Sequence, residues 1–155
     1  MLKNTFLTNR QLEIWRHLIK NITKAEIGRL LGITRQAVHY AEEAIIPKVG
    51  HALRYTAYAN MLNIQYLDAT KGVLLGYSPS SRNKVIVTFS AINGVQTWHY
   101  EHPECGLCEW VDRCKTRLIE EATERDVELS DKVRSLSPSK IALHIFSKII
   151  PELDA

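Results

Sequence analysis

Apolar positions follow a helical spacing from residue 8 to residue 62, a strand-like alternation from 64 to 101, and a helical spacing again from 106 to 150. In the first stretch Leu12, Trp15, Leu18 and Ile19 fall on one helical face. Two capping boxes, Thr8 to Gln11 and Thr23 to Glu26, mark helix starts. A further helix begins near Thr34. Pro47 is expected to end or kink it, because proline lacks a backbone N–H and its ring crowds the preceding turn. HALRYTAYANML, beyond Gly50, then reads as a separate helix. In the second stretch VIVTFSA and VQTWHYE flank Asn93 and Gly94, which predicts a hairpin. GVLLGYS supplies a third strand, with SPSSRNK as the turn between. In the last stretch Ser137 as cap and Pro138 at the first helical position open a helix, KIALHIFSKII, that Pro151 stops. The expected fold class is α+β. A helical domain over residues 1–62 precedes a second unit over residues 63–155. That unit holds a small antiparallel sheet of about three strands, a metal-ligand loop and C-terminal helices.

The segment KAEIGRLLGITRQAVHYAEE, from Lys24 to Glu43, carries a more specific pattern. Two helices that cross closely need a small residue at the crossing, and Gly28 stands there. A tight turn between them needs a residue that tolerates positive φ, and Gly32 stands there. Ile27, Leu31, Ile33, Val38 and Ala41 supply the apolar contact between the helices, and Thr34 caps the second. These are the requirements of a helix-turn-helix. The longer run LTNRQLEIWRHLIKNITKAEIGRLLGITRQAVHYAEEAIIPKV resembles the DNA-binding segments of LuxR-type regulators and of sigma factor region 4. It resembles the archaeal Tfx-type regulators most. Leu7, Thr8 and Arg10 match the Leu-Thr-x-Arg opening of those families. The resemblance covers about 45 residues and implies double-stranded DNA as partner.

In such a motif the second helix enters the major groove with its first turns against base edges. Its outward positions are Thr34, Arg35, Gln36, His39 and Tyr40. Arg35 suits a bidentate bond to guanine and Gln36 one to adenine, while Thr34 and Tyr40 suit phosphates or thymine methyls. Lys24, Arg29 and Lys48 suit phosphate contact. A single motif reads a short site, so a homodimer is expected. HALRYTAYANML and KIALHIFSKII are candidate dimer surfaces, although either could simply be core.

Charge agrees with this placement. The net charge is +3, but residues 1–58 hold nine Lys/Arg against four Asp/Glu, while the remainder is slightly acidic. The basic half is where a polyanion would dock. The overall composition, 45% apolar and 24% charged, is that of a globular chain. No apolar run approaches the ~20 residues of a membrane span, and no signal-peptide pattern opens the sequence. The expected setting is cytoplasmic, with no membrane partner.

All three cysteines fall within ten residues, in the array His99-x2-His102-x2-Cys105-x2-Cys108-x5-Cys114. Three clustered thiols do not suit a secreted disulfide framework. They suit a metal, because a Cys-x2-Cys loop can aim two soft sulfur ligands at one centre. Two cofactors are open. Cys105, Cys108 and Cys114 resemble the last three ligands of the iron–sulfur loop in endonuclease-III-type glycosylases, a spacing also found in WhiB-type regulators. The fourth cysteine of those families is absent here, and at the glycosylase spacing its position falls on Trp98. Alternatively, Cys105, Cys108, Cys114 and His102 make a complete zinc set, with His99 as another fourth ligand. Free cysteines in a packed turn are the plain alternative. The chain has no Gly-rich phosphate loop, no Gly-x-Ser-x-Gly elbow and no His-Glu-x-x-His. The acidic stretch LIEEATERDVEL is spaced like an exposed helix. The expectation is therefore a sequence-specific transcription regulator with a metal-bearing C-terminal half, and not an enzyme. An architectural DNA binder of low specificity, or a protein–protein adaptor, is the alternative.

Overall fold

The computed structural model describes residues 6–101 and 104–153. The chain opens with three helices: α1 (Asn9–Leu18), α2 (Lys24–Leu31) and α3 (Arg35–Ala59). Thr8 caps α1 through a reciprocal pair of bonds. Its Oγ1 accepts from Gln11 N at 3.2 Å, and its own N–H donates to Gln11 Oε1 at 3.1 Å. The same Gln11 oxygen accepts from Lys48 Nζ at 3.1 Å, which ties the cap to α3. Thr23 also caps α2, accepting from Glu26 N, but the return bond of a capping box is not made. Glu26 turns instead to Arg29.

Four strands follow: β1 (Asn63–Asp68), β2 (Val73–Ser78), β3 (Asn83–Ser90) and β4 (Gly94–His99). They form an antiparallel meander in sequence order, with Leu74 opposite Val87 and Ile86 opposite both Leu75 and Trp98. Both faces of this sheet are covered. Leu74, Val85, Val87 and Phe89 join the core of the N-terminal helices, which includes Trp15, Ile45, Val49 and Leu53. Val73, Leu75, Ile86 and Trp98 join the other core, with Leu118, Ile141, Ile145 and Phe146 from the helices that follow. Those helices are α4 (Val111–Glu124), the short α5 (Asp131–Arg134) and α6 (Pro138–Phe146), preceded by a 3-10 turn at Cys105–Leu107. Double coverage explains why β2 reads as a continuous apolar run rather than an alternation. Trp15 is the keystone of the first core. It is fully buried and meets Phe89 edge to face at 5.5 Å, and a Cβ on Gly72 would stand 2.9 Å from its ring.

The mixed helix–sheet architecture agrees with the α+β expectation, but four elements differ from the sequence reading. The sheet has four strands, not about three. β1 escapes the alternation rule because a register shift between Ile64 and Tyr66 interrupts its pairing, and its first half is exposed. Pro47 does not end the helix: α3 continues through it for 25 residues, about 37 Å. Pro47 lies on its solvent side, where water can satisfy the freed Glu43 carbonyl, while Ile45, Val49, Ala52 and Leu53 bury the opposite side. HALRYTAYANML is thus the continuation of α3. The β3–β4 connection is three residues, Ala91 to Asn93, with Gly94 at φ +71 paired to Ser90, rather than a two-residue Asn-Gly turn. Finally, α6 ends at Phe146, ahead of Pro151. Ser137 holds the cap position with Pro138 beside it, but its hydroxyl meets Ser139 instead of a backbone N–H.

Candidate functional site

The α2–turn–α3 unit has the seating that its glycines foretold. Gly32 closes α2 at φ +67, and Ile33 N–H returns to Gly28 O at 2.9 Å. Gly28 is buried against the turn, and a Cβ there would meet Ile33 O at 2.7 Å and Arg35 N at 3.3 Å. Of the inner positions, Ile27 and Val38 are fully buried, and Leu31, Ile33 and Ala41 pack partly buried around them. Thr34 caps α3 by accepting from Ala37 N at 3.0 Å.

The residues expected to face DNA divide into two groups. Arg35 and Gln36 are exposed in the first turn of α3, and Tyr40 is exposed one turn on. The others are held within the chain. Lys24 Nζ lies 3.3 Å from Glu42 Oε1 and 3.1 Å from His39 Nδ1. The other ring nitrogen of His39, Nε2, faces Glu43 Oε1 at 3.3 Å. Arg29 binds Glu26 through Nε at 2.9 Å and through Nη2. Lys48 holds Gln11, as above. The Arg29 pair is well exposed, and such pairs contribute about 0–1 kcal/mol, so Arg29 can exchange its partner for a phosphate at little cost. The Lys24 pair is about two-thirds buried and holds more firmly.

The thiols lie in the second half of the chain, from the turn after β4 into the start of α4. Cys105 opens the 3-10 turn, Cys108 ends it and is exposed, and Cys114 lies in the first turn of α4, half-buried. Burial raises the Cys114 thiol pKa. The Cys108 and Cys105 sulfurs raise it further, against a lowering pull from Arg117 and Arg113. Among the described residues, however, no three His, Cys, Asp or Glu side chains form a group that could hold a metal ion. His102 lies outside the described residues. His99 is exposed on β4, opposite Val85.

The acidic stretch of α4 is not an exposed helix. Glu121, Glu124 and Arg125 are buried against the sheet. Thr88 Oγ1 donates to Glu121 Oε1 at 2.6 Å and accepts from Trp98 Nε1 at 3.0 Å. Arg125 Nη1 donates to Glu121 Oε2, and its Nη2 donates to the carbonyls of Gly72 (3.2 Å) and Phe89 (3.1 Å). Glu124 accepts from Ser90 Oγ and Ala91 N–H, both at 2.6 Å. Burial raises the Glu121 carboxyl pKa. Arg125 and the Thr88 bond pull it back, and Glu124 adds to the rise. A signal for this network was present: Leu118, Glu121, Ala122 and Arg125 follow the i, i+3, i+4, i+7 rule of a single buried stripe. The network fixes the C-terminal end of α4 to the sheet.

No helix among the described residues is long and apolar enough to cross a membrane. Comparison with protein-family models, with curated proteins and with solved structures finds no match, so the functional reading rests on the chain's own residues.

Proposed function

We propose that this protein is a DNA-binding transcription regulator that reads duplex DNA through a helix-turn-helix formed by α2 and α3, and that carries a metal on its cysteine turn. The observation that carries the DNA reading is the pairing of an exposed Arg35 and Gln36 with a rigid mount. They project from the first turn of a 25-residue helix whose approach to α2 is set by Gly28 at van der Waals limit. Side chains on a recognition helix must be open to solvent and carried on a rigid support; Arg35 and Gln36 are exposed, and the Gly28 seating and the Thr34 cap support the backbone that carries them. Thr34 and Tyr40 are exposed as well, and the exposed Arg29 and Lys48 are available to meet phosphates.

A second copy of the chain is the natural partner, since one short recognition helix reads few base pairs. Tyr55, Tyr58 and Met61 are 63%, 67% and 82% exposed near the far end of α3, beside the edge strand β1, and supply apolar surface for that contact.

The test is selection of a binding site from random duplexes with the full chain, followed by affinities of wild type, Arg35→Ala and Gln36→Ala at one stated salt concentration. Each variant is expected to lose about 1–3 kcal/mol and to relax selectivity at one base pair. Unchanged affinity for Arg35→Ala refutes the assignment of this helix. For the cysteine turn, protein purified without oxygen is analysed by optical absorption and metal content. Absorbance near ~400 nm with iron marks an iron–sulfur cluster. A colourless protein with one zinc marks a structural zinc site. Absence of both metals refutes the metal reading.

A further inference from the structure

A cavity of about 410 Å3 opens where the N-terminal helices meet the segments that follow α4 and α6. Its volume falls within the ~300–1,000 Å3 of ordinary small-molecule sites. Its two kinds of lining are distinct. Leu18, Ile19, Ile46, Val127 and Ile149 give it an apolar wall, and all five are half-buried rather than sealed into a core. Three cations, Lys71, Arg125 and Lys148, enter from three separate parts of the chain.

The charge is unbalanced at the cavity itself. The single acidic lining residue is Glu42, and Lys24 already holds it at 3.3 Å. Lys71 keeps only a loose pairing, 4.0 Å, to Asp68. Lys148 has no ion pair among the described residues and is exposed. Arg125 is different: its side chain is 2% exposed and committed to Glu121 and the backbone carbonyls of Lys71, Gly72 and Phe89, yet its Nε remains buried without a hydrogen-bond partner. Arg125 therefore supplies a fixed N–H edge whose charge Glu121 already offsets, while the two lysines have the reach and freedom to close on a ligand.

We propose that this cavity binds a small amphipathic anion: a carboxylate or phosphate monoester joined to a compact apolar group. Lys148 and Lys71 take the charged end, and the Leu18–Ile46–Ile149 wall takes the apolar end. A neutral ligand would leave the lysines with no counter-charge, and a purely inorganic anion would leave the apolar wall in water. A bound anion bridges α1 and α3 on one side to the segments after α4 and α6 on the other. The proposal stands whether or not α3 reads DNA, because its test involves no DNA.

The test is isothermal titration of the full chain with octanoate, benzoate and phenyl phosphate, each set against its uncharged counterpart (octanamide, benzamide, phenol) and against inorganic phosphate. At least one charged organic probe is expected to saturate with a Kd of about 1 mM or tighter. Its neutral counterpart and inorganic phosphate are each expected to bind about tenfold more weakly, the scale of one charge-assisted bond. Lys148→Glu and Lys71→Glu replace exposed side chains, so both variants fold, which their unliganded melting curves verify. Each is expected to weaken the charged probe by about tenfold or more. The proposal is overturned if no charged organic probe binds, if charged and neutral probes bind alike, if inorganic phosphate binds as well as phenyl phosphate, or if both lysine variants bind as wild type does.

Discussion

Replacing Gly28 with alanine tests how tightly α2 is seated on the turn into α3. In an unconstrained helix interior this change is favourable by about 1 kcal/mol, because alanine surrenders less backbone freedom than glycine. At this position the new Cβ would stand 2.7 Å from Ile33 O and 3.3 Å from Arg35 N. Carbon–oxygen contacts settle at about 3.3–3.6 Å, so the turn must retreat by roughly 0.6–0.9 Å. Both obstructing atoms are backbone, anchored by the Ile33–Gly28 bond and by the Thr34 cap, so neither can rotate away. Overpacking of this kind costs about 1–3 kcal/mol; set against the propensity gain, the net destabilisation is about 1 kcal/mol. For a chain of this size that is a fall of about 2–4 °C in Tm, read by circular dichroism. The same retreat displaces Arg35 and Gln36, so affinity for a selected DNA site should fall at temperatures where the variant is fully folded. A Gly28→Ala protein that melts above wild type refutes the close-seating argument, because propensity alone would then be acting.

Further outcomes follow from the buried network and the cysteine turn. Arg125→Met leaves Glu121 buried without its cation and should cost about 3–5 kcal/mol in urea unfolding, whereas the double variant with Glu121→Gln should recover part of that loss. Burial raises the Glu121 carboxyl pKa above 4.5, so the folded state holds its proton more tightly than the unfolded chain does. The stability this group contributes is therefore complete below its unfolded pKa and is lost as pH rises through the folded pKa. The Glu121→Gln variant should accordingly gain on wild type as pH is raised from 4.5. A pH-independent difference between the two would show that burial does not dominate. Lys24→Ala should weaken DNA binding less than Arg35→Ala does, because Lys24 is engaged with Glu42 and His39; equal losses would show that it leaves those partners to meet phosphate. Cys105→Ser should lower the Tm of protein purified without oxygen, and an unchanged Tm would argue against a structural metal.

What the sequence disclosed was mostly local. Thr8, Thr23 and Thr34 each cap a helix, because a cap is decided within four residues. Gly28 and Gly32 were readable because a tight turn constrains positions at fixed short offsets. Where tertiary packing decides, the reading failed. Pro47 is tolerated because the buried side of α3 holds the helix together across it. β1 lost its alternation to a register shift. The acidic residues of α4 have a charge pattern typical of surface, and only their phase relative to Leu118 and Ala122 betrays burial. Lys24 and His39 lie at outward positions of the motif, but their engagement with one another depends on how α2 crosses α3. The cavity was beyond any sequence rule, since its walls come from segments near residues 20, 45, 70, 126 and 148.

Coverage of the sheet from both ends of the chain has a consequence for how the protein is made. Synthesis proceeds from the N-terminus, so α1–α3 and the whole meander emerge before α4 and α6 exist. During that interval the first core can close around Trp15 and Phe89, while Val73, Leu75, Ile86 and Trp98 remain bare to solvent or to a chaperone. The nascent chain then presents a half-finished, sticky sheet until α4 and α6 have emerged to cover it. Truncations that remove α6 should therefore accumulate as aggregates even though their N-terminal core is intact, and slow decoding of the codons for α4 to α6 would lengthen the exposure.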